Sequence, residues 1–168
     1  MASIENCKRA EEARKAQNNY SAYHETLLEE IKNAALCIIC TVTTLESYIN
    51  YVIGKYLPDE SNIFERASIR QKWLHVPPSL NLPFRFSPAE FPFKVFSDVI
   101  NWRNGAIHHR PEFTKAVIYK TKGFKGYVGP AYRTFNLENA RLAIKYERDM
   151  ILKLSEGDKI PKPKWLKL

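Results

Sequence analysis

The chain has 168 residues, with 26 Lys plus Arg against 18 Asp plus Glu and a formal net charge of +8. Its 45% apolar and 26% charged content is that of an ordinary globular domain, which excludes wholesale disorder and allows a core without disulfides or a structural metal. The longest apolar run, residues 34–40 (AALCIIC), falls well short of the roughly 20 residues a bilayer needs, so no membrane span is expected. The first residues mix acids and bases without an apolar stretch, unlike a secretory signal, which makes the cytoplasm the expected compartment.

Charge is divided unevenly along the chain. Residues 1–60 hold 6 bases and 9 acids, and residues 61–168 hold 20 bases and 9 acids. An excess of this size in one half favours a polyanionic partner, nucleic acid being the commonest, over a merely solvated surface.

Residues 4–17 are rich in Glu, Lys, Arg and Ala and read as a short helix, broken at Asn18-Asn19. From 20 to 57 the apolar residues, including Leu27, Ile31, Ala34, Ile38, Val42, Leu45, Ile49 and Val52, recur every three or four positions. That is the stripe of one amphipathic helix, uninterrupted by proline until Pro58. At about 1.5 Å per residue it would extend roughly 50 Å or more, the spine of an antiparallel bundle. Cys37 and Cys40 lie on it as Cys-Ile-Ile-Cys. No second Cys/His pair stands at zinc spacing, so both are expected to pack as buried thiols of a reduced protein, with Cys7 unpaired.

Residues 62–74 read as a shorter helix and 76–92, with five prolines, as loop. Ser87-Pro88-Ala89-Glu90 has the form of a capping box, with Pro92 set to delay the helix that follows. That helix should run to about Arg103, with Asn104-Gly105 as a stop or turn. Residues 114–133 lose the helical period and suggest a short β-hairpin or an ordered loop. Asn136 is the expected N-cap of a last helix reaching Leu154. The expected class is all-α: one helical domain over 1–157, a basic non-helical insertion at about 111–135, and a basic tail at 158–168.

The chemistry-bearing segment is Trp102-Arg103-Asn104-Gly105-Ala106-Ile107-His108-His109-Arg110. Arg plus His suits phosphodiester cleavage without a metal or other cofactor. Histidine exchanges protons near neutrality, and a guanidinium offers a fork of donors to phosphoryl oxygens. RNA supplies its own nucleophile, the 2′-hydroxyl. One His cannot serve comfortably as base and acid together, whereas a symmetric dimer would bring two. On an unbroken helix Arg103 and His108 would diverge by about 140°, so a break between them is required for one chain to aim both at one cleft. The same stretch also fits a helix C-terminus whose basic groups offset the dipole.

The order Arg103-Asn104-(three residues)-His108 resembles the signature of the HEPN superfamily (higher eukaryotes and prokaryotes nucleotide-binding). Residues 44–50 (TLESYIN) resemble the segment preceding that motif in several branches, and Lys72-Trp73-Leu74 is a weaker match. The resemblance covers roughly residues 20–110 and the final helix. It implies a helical bundle dimerising around the motif, and a metal-independent endoribonuclease of toxin–antitoxin, antiphage or RNA-processing systems. It assigns catalysis to Arg103 and His108, with Asn104 orienting the His or the phosphate and Glu46 and Asn50 across the cleft. His109 has no place in the minimal motif and stands as a surface or substrate contact. An alternative is a non-catalytic RNA- or nucleotide-binding module assembling with another protein such as an antitoxin. The insertion interleaves Arg110, Lys115, Lys120, Lys122, Lys125 and Arg133 with aromatics including Tyr127, a pattern that suits single-stranded RNA and equally suits a hairpin packed on the bundle.

Overall fold

The computed structural model describes residues 2–16, 23–107, 117–121, 124–128, 130–156 and 159–167, and these are mostly helical. In chain order they form α1 (Ala2–Ala16), α2 (Tyr23–Tyr56), α3 (Ser61–Glu65), α4 (Ile69–Ser79) and α5 (Phe93–Ile107). Two strands follow, β1 (Val117–Thr121) and β2 (Phe124–Val128), then α6 (Pro130–Thr134) and α7 (Leu137–Leu154). The chain divides into two compact units, and α2, α5 and α7 contribute residues to both.

The first unit comprises Met1–Cys40 and Asn101–Ile144. Its core is built of small side chains: Cys7 and Ala10 on α1, Ala34 and Cys37 on α2, and Leu137 and Ala140 on α7. The Cys37 thiol donates to the Ala140 carbonyl at 3.6 Å. Cys40 differs from expectation: it is only half-buried, with the Asn6 amide 4.0 Å from its sulfur. The Cys7 thiol is pulled below its ordinary pKa, chiefly by its hydrogen bond with Cys37, against an opposing contribution from burial.

Polar contacts close this small core. Glu30 is completely buried and takes a two-pronged ion pair from Arg14, with Nε at 3.2 Å and Nη2 at 2.8 Å. It also accepts the Leu137 N–H at 3.0 Å, one of the donors left unpaired at the start of α7. Arg14 reaches Glu138 as well, and donates to the Tyr132 hydroxyl at 2.6 Å. Burial alone would lower the Arg14 pKa, but its two carboxylate neighbours outweigh that and raise it. Asn136 caps α7 as its position foretold, accepting the Asn139 N–H at 2.9 Å. In the hairpin, β1 and β2 run antiparallel with Val117 opposite Val128, Ile118 opposite Tyr127 and Lys120 opposite Lys125.

The second unit comprises Thr41–Ile100 and Lys145–Leu168. Its core is aromatic. Trp73 is completely buried, stacked on Tyr48 at 6.4 Å and met edge-on by Phe86 at 5.7 Å and Phe96 at 5.9 Å. Phe93 joins Phe86 and Phe96 at 6.1 and 5.4 Å. Burying each such ring contributes about 1.5–3 kcal/mol, with more from edge-to-face contact.

The region expected as a single helix over 62–74 is two helices. The chain turns at residues 66–68 because Ser68 opens a new helix with a full capping box: its hydroxyl accepts the Gln71 N–H and the Gln71 side chain returns to the Ser68 N–H. Nor does loop begin at 76, since α4 continues through Pro77 and Pro78 to Ser79. The prolines cost the last turn two donors, but their carbonyls remain in use. Asn81, left-handed at φ 51°, donates to Pro78, and Leu82 donates to Pro77. This is a Schellman closure with Asn in the glycine position. Ser87 closes a turn onto Ala89 and Glu90, and α5 starts after Pro92.

Residues 159–167 are tied down. Ile160 and Leu166 are buried, and the Lys159 ammonium donates to the Leu80 carbonyl at 2.8 Å. Leu166, rather than the 41% exposed Trp165, is the anchor. In α2 the seven-residue apolar run understates the helix. Thr26–Tyr56 is long enough to cross a bilayer, and it contains an 18-residue window of mean hydropathy 1.5, of which 44% is buried within the protein.

Candidate active site

α5 begins as a core helix. Phe93, Phe96, Val99 and Ile100 recur at helical spacing and are buried. Beyond Ile100 the burial ends: Trp102, Arg103 and Asn104 are half-buried, Gly105 is exposed, and Ile107 is 51% exposed. The expected stop at Asn104-Gly105 does not occur, because α5 continues through both residues to Ile107. A helix-terminating glycine acts by turning left-handed, whereas Gly105 stays helical, at a cost of about 1 kcal/mol relative to Ala. Among the described residues, nothing outside the backbone of its own helix and its chain neighbours lies within 4 Å of where a Gly105 Cβ would be, so packing there does not demand glycine.

The break needed for Arg103 and His108 of one chain to converge is therefore not at 104–105. His108 follows the last residue of α5 and lies outside the described residues, as do His109, Arg110, Lys115 and Lys122. Arg103 and Asn104 occupy the last turn of α5, where the C-terminal carbonyls favour a cation. Lys120, Lys125 and Tyr127 are on the paired strands, the two lysines directly opposite each other. Arg133 is exposed on α6.

Glu46 and Asn50 lie one turn apart on the part of α2 in the second unit, while Arg103 and Asn104 belong to the first. What the second unit does bring together are the two supporting segments of the family resemblance, residues 44–50 and Lys72-Trp73-Leu74. Asn50 accepts a hydrogen bond from the Lys72 ammonium at 2.8 Å, and Tyr48 stacks on Trp73. The Asn50 amide oxygen is thus engaged in holding α2 to α4. Sequence reasoning missed Lys72 as the partner of Asn50, although Lys72 and Trp73 were visible as a motif.

Among the described residues no group of three or more His, Cys, Asp and Glu could hold a metal ion. An open cleft of about 410 Å³ lies in the first unit between α1 and α2, lined by Arg9, Glu12, Glu29, Lys32 and Leu36 among others. Its two bases are engaged with nearby acids, Arg9 with Glu5 at 3.4 Å and Lys32 with Glu29 at 3.3 Å. Compared with known proteins, the chain matches no family model, no curated protein and no solved structure.

Proposed function

We propose that the protein is a HEPN-like, metal-independent endoribonuclease whose site is shared between two copies of the chain. It would be a helical bundle with a hairpin insertion before its last helix, acting in the cytoplasm in a toxin–antitoxin or antiphage role. The observation that carries the reading is the end of α5. Its buried face stops at Ile100, and the chain then presents Arg103, Asn104, open space at Gly105 and an exposed Ile107 immediately before His108. A second copy seated on this end of the helix would cover Ile107. A second copy also answers the geometric objection, since Arg103 of one chain and His108 of its twin need not diverge as they would along one unbroken helix.

In this scheme one His108 takes the proton of the RNA 2′-hydroxyl, whose oxygen attacks the adjacent phosphorus. The guanidinium of Arg103 stabilises the charge that builds on the phosphoryl oxygens. The partner's His108 gives a proton to the departing 5′-oxygen, leaving a 2′,3′-cyclic phosphate and a 5′-hydroxyl. Asn104 positions the imidazole or the phosphate, and His109 stands at the rim. Arg110, Lys115, Lys120, Lys122, Lys125, Tyr127 and Arg133 hold the RNA strand. In this reading α2 is a core helix rather than a membrane span: its most deeply buried residues, Ile38, Val42, Leu45, Ile49 and Val52, form one stripe.

The helical continuity of Asn104-Gly105 favours a second reading, a non-catalytic module that binds RNA or a nucleotide and assembles with a protein such as an antitoxin. Incubation with single-stranded RNA and tRNA in EDTA separates the two. The ribonuclease reading expects cleavage that Arg103→Ala and His108→Ala each abolish. Binding without turnover supports the module, and cleavage surviving both substitutions overturns the site.

A further inference from the structure

The second unit carries an exposed aromatic cluster that the scheme above does not use. Phe91, just before α5, is 59% exposed, although Pro92 and Phe93 beside it are buried. Its ring meets Tyr146 of α7 edge-on at 5.3 Å. The ammonium of Lys145 lies over both rings, 5.7 Å from the Phe91 centroid and 5.5 Å from that of Tyr146.

The other cations over rings differ from Lys145 in one respect. Lys153 lies 5.3 Å over Phe84 but is neutralised by Glu156 at 2.6 Å. Lys55, over Tyr51 and Tyr56, donates to the Tyr51 hydroxyl at 3.0 Å. Arg14, over Tyr132, is held by Glu30 and Glu138. Lys145 has only the ring faces: no acceptor and no carboxylate engages its ammonium among the described residues. Glu147, next to Tyr146, is buried, and Asp149, one turn along α7, and Glu90, next to Phe91, make no ion pair with Lys145 among the described residues. Arg148 adds a second exposed base on α7.

We infer that Phe91, Tyr146 and Lys145 form a docking site for one nucleotide of a single-stranded RNA, the base stacking on Phe91 and the phosphate meeting Lys145. The chemistry supports RNA over an apolar partner. A ring more than half exposed offers a stacking face, and the ammonium beside it keeps its three donors for an anion. The chain's net charge of +8 has the matching sign. The site belongs to the second unit, whereas the basic insertion belongs to the first, and it would add binding energy without taking part in the reaction. It rests on the RNA reading above for its ligand, but not on cleavage.

The test measures anisotropy of a fluorescein-labelled oligouridylate on the full chain carrying His108→Ala, which removes turnover. Phe91→Ala should weaken binding about tenfold, within the roughly 5–150-fold expected for one stacked base. Phe91→Trp should restore it and Phe91→Leu should not, because the leucine keeps apolar bulk without a π-face. Lys145→Ala should weaken binding and lower the salt-dependence slope by about one. Unchanged thermal melts would show that these surface substitutions leave the fold intact. Binding that depends on Phe91 in a protein that never cleaves would uphold this site and remove the ribonuclease. Oligouridylate binding indifferent to Phe91 and Lys145, or no binding at all, would overturn the site. So would Phe91-dependent capture of polyglutamate in place of the oligonucleotide.

Discussion

The unit around Glu30 and the unit around Trp73 are held by opposite means. In the first, the buried side chains are small, and an ion network of Arg14, Glu30 and Glu138 fixes α1 and α2 to the start of α7. In the second, Trp73, Phe86, Phe93 and Phe96 fill space by volume, with single hydrogen bonds from Lys72 to Asn50 and from Lys159 to Leu80. Ionic and hydrogen-bonded contacts are directional, so they define a register and fail when one partner is removed. Ring packing is less directional and tolerates a change of chemistry that preserves volume.

The sharpest break is Trp73→Ala, which should cost about 3–5 kcal/mol in chemical denaturation. Trp73→Phe should cost far less than Trp73→Ala, because the indole N–H has no acceptor to lose among the described residues. Glu30→Gln preserves shape but leaves Arg14 without its buried counter-ion, and should cost about 3 kcal/mol or more. If the phenylalanine substitution proved costlier than the glutamine one, the contrast between the units would fail. Next come the caps: Asn136→Ala and Ser68→Ala should each cost about 1 kcal/mol in thermal or denaturant melts.

The smallest effect is at Glu138. Burial pushes its pKa up, but the hydrogen bond from Arg14 prevails and the net shift is downward. Its contribution is therefore fully present above the unfolded value near 4.5 and is lost as pH falls through the lower folded one. Thermal melts of wild type and Glu138→Gln should differ by a few tenths of a kcal/mol at pH 7, since Glu138 is largely exposed. The two curves should begin to converge as pH falls through about 4.5 and should merge only below the lower folded value.

The long helix was legible because its stripe, from Leu27 to Val52, is a period repeated many times over. The Asn136 cap was legible because capping is local chemistry. The α3–α4 break was missed, although Ser68 and Gln71 spell its capping box, because the apolar spacing runs through the turn. Pro77 and Pro78 argued for loop, yet the cost of two missing donors is offset by a Schellman closure and by burial of Pro77 against the core. Asn104-Gly105 has the composition of a stop, and Ala106 and Ile107 carry the helix past it. Within the candidate site, Arg103 and Asn104 were legible as a motif, but the partnership of Asn50 with Lys72 joins residues 22 apart in the sequence, which no local pattern reveals.

The shared site can be tested by mixing. Wild-type and His108→Ala proteins are unfolded together, refolded as a mixture and assayed on single-stranded RNA in EDTA. A cleft that needs the imidazole of both chains is lost in every mixed dimer, so activity should fall as the square of the wild-type fraction, to about a quarter at equal amounts. A fall in simple proportion to the wild-type fraction, to about half, would mean that each chain's site works alone and would contradict it.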